Sequence, residues 1–196
     1  MKRLVLMLML VPPAAQAQLF QNLDMSWLAG PSFARTQAIG NSGVTLFSAP
    51  GFAWASDFGY QFHRVGGASL WLDLPFVSID GSHQTATIPG AISASAYMIV
   101  PGVRLMLPLT SRISAFTEGG VGEGSFSYPA IQTSRNPPLT TNNVNHGVVD
   151  FGGGVNIRLS RFFSIRVDVR DFVTGRNLAG EPGRNHVLPM VGIVIP

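Results

Sequence analysis

The sequence predicts an all-β chain, folded as an antiparallel up-and-down transmembrane β-barrel of about eight strands. Three observations carry this reading. Apolar and polar residues alternate with period 2, most clearly in Phe163-Ser164-Ile165-Arg166-Val167-Asp168-Val169-Arg170. The segments between such stretches are by turns short and long. The chain is 46% apolar and only 12% charged, about half the charge of an average soluble domain. Beyond the first dozen residues no apolar run approaches the ~18 residues of a spanning helix.

The elements follow in order. Lys2-Arg3 is a basic start, Leu4 to Val11 an apolar core, and Ala15-Gln16-Ala17 a small-x-small site. This pattern is a secretory signal peptide over 1–17, leaving 18–196 as one barrel domain. Strands are expected near Leu23 to Phe33, Phe52 to Phe62, Ser69 to Phe76 and Ala96 to Leu107. Four more are expected near Ile113 to Ser125, Val149 to Leu159, Phe163 to Arg170 and His186 to Ile195. Short turns fall at 63–67, 108–112 and 160–161, and long polar loops at 35–50, 78–94, 126–146 and 172–185. Short turns at one end and long loops at the other suit a barrel with both termini on the periplasmic side.

Charge decides which face is wet. The chain holds 13 Lys plus Arg against 10 Asp plus Glu. Its single lysine is Lys2, and its arginines are scattered, so no concentrated basic face points to nucleic acid. A water-facing surface normally carries many Lys and Glu. If instead the apolar faces meet lipid, the polar faces line the interior and their charges pair away from hydrocarbon.

That assignment places Asp24, Asp57, Asp73, Arg104, Glu118, Asp150, Arg158, Arg166, Asp168 and Arg170 in the lumen, as a structural ion-pair plug. Glycines 120, 122, 124, 152 and 154 would make room for long side chains. Trp27, Trp54, Tyr60, Phe62, Phe163 and Phe172 are expected in interfacial aromatic girdles.

Phe116-Thr117-Glu118-Gly119-Gly120-Val121-Gly122, Asp150-Phe151-Gly152-Gly153-Gly154-Val155 and Phe163 through Asp171 carry a resemblance. On these segments the chain resembles the small outer-membrane β-barrel superfamily, the OmpA/OmpX-like barrels. The resemblance covers the chain after its leader and is one of pattern. It implies residence in the bacterial outer membrane, contact with outer-membrane lipids including lipopolysaccharide, and insertion by the outer-membrane assembly machinery. Such barrels usually end on an aromatic residue, whereas this chain ends Gly192-Ile193-Val194-Ile195-Pro196. No segment is left over for a peptidoglycan-binding domain.

Some barrels of this kind modify lipid A with a His, a Ser and often a carboxylate. Ser125, His146 and His186 sit near the expected outer mouth and form the one cluster of that type, although polar rim residues have the same pattern. No pair of histidines has close metal-ligand spacing. Gly119-Gly120-x-Gly122-x-Gly124 lacks the Lys-Ser/Thr of a phosphate loop. No cofactor or metal is called for. The expected function is therefore a non-enzymatic outer-membrane barrel, serving envelope structure or surface interaction through long outer loops. The alternatives are a narrow pore, a lipid A-modifying enzyme and a soluble periplasmic lipocalin-like carrier.

Overall fold

A computed structural model describes residues 22–34, 37–39, 44–48, 50–86, 91–129, 141–176 and 182–196. The leader reading for residues 1–17 lies outside them.

The strands are β1 (Leu23–Ala34), β2 (Gln37–Ile39), β3 (Val44–Ser48), β4 (Gly51–Val65), β5 (Ala68–Ala86), β6 (Ala91–Ile99), β7 (Gly102–Pro108), β8 (Ile113–Pro129), β9 (Thr141–Arg158), β10 (Ser164–Arg176) and β11 (Pro182–Ile195). All pairings are antiparallel. β1 pairs with both β4 and β11, so the sheet closes on itself. Around the wall the order is β1, β4, β5, β6 with β7, β8, β9, β10, β11. β6 and β7 lie end to end between β5 and β8, which makes an eight-stranded up-and-down barrel. β2 and β3 form a small hairpin attached to the far end of β5.

Two differences from the sequence reading have simple causes. The expected single strand from Ala96 to Leu107 is broken at Val100-Pro101, because proline has no N–H for the ladder. The Val100 amide donates instead to the Pro75 carbonyl at 3.4 Å, and the Val121 amide donates to the Pro101 carbonyl at 3.1 Å. The second difference is strand length. β5, β8, β9 and β10 run into segments read as loop, and 35–50 contains the β2–β3 hairpin. Beyond the apolar belt the outward side chains are no longer consistently apolar, so the alternation that marks a strand fades although backbone pairing continues.

Alternation sets the faces. Val103, Val121, Val149, Val167 and Val191 point outward and are exposed, while Arg104, Arg166 and Arg170 are at most 1% exposed. This inverts the usual soluble arrangement, in which arginine is almost never fully buried. Trp27, Trp54, Tyr60, Phe62 and Phe163 lie on the outer face. Phe172 does not: it follows Arg166, Asp168 and Arg170 on the inward parity of β10 and is fully buried.

The outer face is banded. At the long-loop end the outward-facing acids are Asp80, Glu123 and Asp171, the last accepting a hydrogen bond from Asn185 Nδ2 at 2.5 Å. At the short-turn end the belt stops at the mouth, where Arg112 and Arg161 sit in the turns and Arg64 and Arg158 end their strands on the lumen parity. Among the described residues no outward side chain between these limits is charged. Leu23 to Phe33 spans the band on β1. At ~3.3 Å per residue and a ~40° tilt, ten steps cover about 25 Å, the thickness of an outer-membrane apolar belt.

Candidate functional site: the filled lumen

Inward-facing side chains fill the barrel in two layers. Toward the short-turn end is a charged layer supplied by seven strands of the wall. β1 contributes Asp24 and Ser26, β4 Asp57, β5 Asp73, β7 Arg104, β8 Glu118, and β9 and β10 the remainder. Arg104 Nη2 reaches Asp24 Oδ1 at 2.8 Å and Asp73 at 3.2 Å. Arg166 bridges Asp24 at 3.4 Å and Asp57 at 3.3 Å, and its Nε donates to Asn156 Oδ1 at 2.9 Å. Arg170 contacts Glu118 at 3.1 Å, Asp57 at 3.5 Å and Asp150. Ser26 Oγ donates to Asp57 at 3.2 Å.

Each arginine also lies against an aromatic face. Arg104 sits over Trp71 at 5.4 Å, Arg166 over Phe116 at 5.0 Å, and Arg170 over Phe172 at 5.0 Å. These contacts supply attraction where water is excluded. Gly59 makes the arrangement possible, since a Cβ there would collide with the Asp24 carboxylate and the Arg104 guanidinium.

The structure thus places Asp57, Asp73, Arg104, Glu118, Asp150, Arg166, Asp168 and Arg170 inside the wall, together with Asp24. Arg158 is the exception. It shares the inward parity of β9 but sits at that strand's end, exposed at the short-turn mouth. The layer therefore combines six carboxyl groups with three guanidiniums, not four. Asp168 is buried between Arg166 and Arg170 along β10, yet its carboxylate accepts no hydrogen bond among the described residues.

Toward the long-loop end the filling is apolar. Leu28, Ala53, Ala55, Val77, Met98, Phe126, Val148, Phe172, Leu188 and Met190 are buried together. Phe126 lies where a Cβ on Gly124 would clash, so that glycine seats the ring. This layer was missed by the sequence reading, which treated the inward parity as polar throughout. The signal was present: Leu28, Phe126, Phe172 and Leu188 all occupy inward positions.

The outer-mouth cluster is only partly assembled. His146 and His186 flank the Phe126 ring, each with ring centroids 5.9 Å away. Ser125 precedes Phe126 in sequence and so lies on the outward parity of β8, paired with Asn145 and Tyr97. A one-residue step in a strand reverses the face, so Ser125 cannot join the two histidines on the lumen side. His83 falls within β5, with its side chain outside the described residues. Among the described residues no group of three or more His, Cys, Asp or Glu is arranged to hold a metal ion.

No protein-family model matches the chain, and no curated protein matches its sequence. Solved structures do match its fold. Neisserial surface protein A aligns with a TM-score of 0.63 at 12% identity, over 88% of this chain and 96% of that one. The outer membrane protein OprG of Pseudomonas aeruginosa gives 0.52 at 10% identity, over 88% and 94%. Ail, the attachment invasion locus protein of Yersinia pestis, gives 0.50 at 10% identity, over 89% and 99%. With its closed wall, uncharged outer belt and inward-facing arginines, the chain has the fold of the small eight-stranded outer-membrane β-barrels.

Proposed function

We propose that this chain is a sealed, non-enzymatic barrel of the bacterial outer membrane, serving envelope structure or surface interaction through its outer loops. The observation that carries the reading is the filled lumen. An ion-paired layer and a buried apolar layer lie in series along the axis. An ion would have to part the guanidinium–carboxylate pairs and then cross a layer built mainly of apolar side chains, with polar groups such as His186 at its margin. An eight-stranded barrel is narrow enough for side chains such as these to fill its interior. The orientation of Ser125 away from His146 and His186 supports the non-enzymatic half of the reading.

On this proposal the uncharged belt meets phospholipid in the inner leaflet and lipopolysaccharide in the outer one, the assembly machinery inserts the barrel, and the barrel anchors the loops. The test has two arms. In planar bilayers the purified protein should give no reproducible single-channel steps, and discrete steps would favour a narrow pore. In cells producing the protein, mass spectrometry should find lipid A unchanged. A modification lost in His146→Ala or His186→Ala would overturn the non-enzymatic reading.

A further inference from the structure

We propose that the short-turn end of the barrel is a binding cup for a polyvalent anion, a periplasmic molecule carrying several phosphate or carboxylate groups. The inference uses the orientation that puts the short turns in the periplasm; it does not depend on the lumen being sealed or on the loops having a partner.

The cup is an open cavity of about 750 Å³ at the short-turn mouth. Each of the three short turns brings arginine to its rim: Arg64 from β4–β5, Arg112 from β7–β8, and Arg158 and Arg161 from β9–β10. The last two turns are tied by the Arg158 amide, which donates to the Arg112 carbonyl at 2.7 Å. The turns are far apart in sequence, so the convergence is a product of the closed wall.

Among the described residues, four arginines but a single acidic side chain, Asp24, line the cup, and Asp24 is already held by Arg104 at 2.8 Å and Arg166 at 3.4 Å. Arg64 donates to Gln61 Oε1 at 3.2 Å, and Arg161 lies over the Phe162 ring at 4.6 Å. Arg112 and Arg158 have no side-chain partner among the described residues. Four like charges around one concavity repel each other, and an anion between them relieves the repulsion. Guanidinium suits the task because its planar fork binds phosphate or carboxylate through two parallel bonds. The lining adds neutral donors in Asn156, Ser69 and Ser114.

A soluble anion entering along the axis fits better than a lipid headgroup. Arg64 pairs with Ser69, on the parity of buried Trp71 and Asp73, and Arg158 continues the inward parity of Asn156. Both therefore start on the lumen side of the wall, whereas a lipid packed against the apolar exterior presents its phosphate to the other side.

The test uses the folded barrel in phosphatidylcholine nanodiscs at about 20 mM salt, titrated calorimetrically with tripolyphosphate and, separately, with a triglutamate peptide. Saturable binding of either probe at a single site is expected, weakening about tenfold or more by ~200 mM salt as the charges are screened. The combined variant Arg64→Gln, Arg112→Gln, Arg158→Gln and Arg161→Gln should lose that binding. Should that variant fail to fold, the pair Arg112→Gln and Arg158→Gln is expected to weaken binding about tenfold. Arg135→Gln, in the expected long-loop segment, should change nothing. Which probe binds reports phosphate or carboxylate chemistry. Absence of saturation with both probes overturns the proposal. So does undiminished binding in the arginine variants, or interaction seen only as adhesion to phosphatidylglycerol-containing discs.

Discussion

At the scale of single residues the lumen is governed by the cost of an unpaired buried charge. Arg170 is the clearest case, since it alone joins Asp57, Glu118 and Asp150. Replacing it with Met keeps the stem's volume and leaves three buried carboxylates without their shared cation. Breaking a buried pair in this way typically costs about 3–5 kcal/mol. Arg170→Met is therefore expected to lower the urea midpoint of refolding into detergent micelles by a corresponding amount. An unchanged midpoint would mean that water reaches these groups and that the layer is not a dry network. Gly59→Ala acts on the same layer by another route. Its methyl group would push Asp24 and Arg104 apart, and a destabilisation of about 1–3 kcal/mol is expected in the same assay.

At the scale of elements, each strand is a two-faced object and the faces have different solvents. β10 displays this most simply, with Val167 and Val169 outward and Arg166, Asp168 and Arg170 inward. Val167→Arg places a guanidinium on the outer face within the uncharged belt. In a lipid-facing wall this costs about 2–4 kcal/mol near the midplane, to be read from the folding midpoint in vesicles. On a water-facing wall the same change would be close to neutral, so a neutral result would reverse the assignment of the faces. The short β4–β5 connection is also an element-level device. Val65 pairs with Ala68, which leaves Gly66-Gly67 as a two-residue turn, and Gly66 sits at φ 60°. That conformation suits glycine and starts a hairpin whose twist matches its strands.

At the scale of the whole molecule, closure is the defining property. A closed sheet leaves no unpaired edge to lipid, and it places the arginine-rich mouth, the charged layer and the apolar layer in that order along one axis. A barrel held by continuous pairing should resist SDS until heated. Samples extracted from outer membranes are expected to run at different mobilities before and after boiling. A single mobility, with the protein in the soluble periplasmic extract, would point to an inward-facing apolar wall and a carrier in place of a membrane barrel.

Much of this architecture was legible in the chain because strand alternation is a local property. The parity of Phe163 through Arg170 is written residue by residue, and the scarcity of charge pointed to the apolar parity as the outward one, as the structure has it. The short connections were legible for the same reason, through Gly66-Gly67 and Pro108. What the chain left open depended on distance along the barrel axis, which parity does not encode. Arg158 and Arg166 share a face, yet one ends at the mouth and the other is buried among Asp24, Asp57 and Asn156. Phe172 carries an aromatic ring like Phe163, but one sits in the lumen and the other on the wall. The break at Val100-Pro101 leaves the register with β5 and β8 unchanged and is bridged by bonds to Pro75 and Val121 that only the folded wall brings together. Strand identity, facing and the order of turns came from the sequence, because they follow from local sterics and the solvent preference of each side chain. The layering of the lumen and the meeting of Arg64, Arg112, Arg158 and Arg161 at one rim were decided by tertiary structure, because closure alone sets which distant positions share a height and a side.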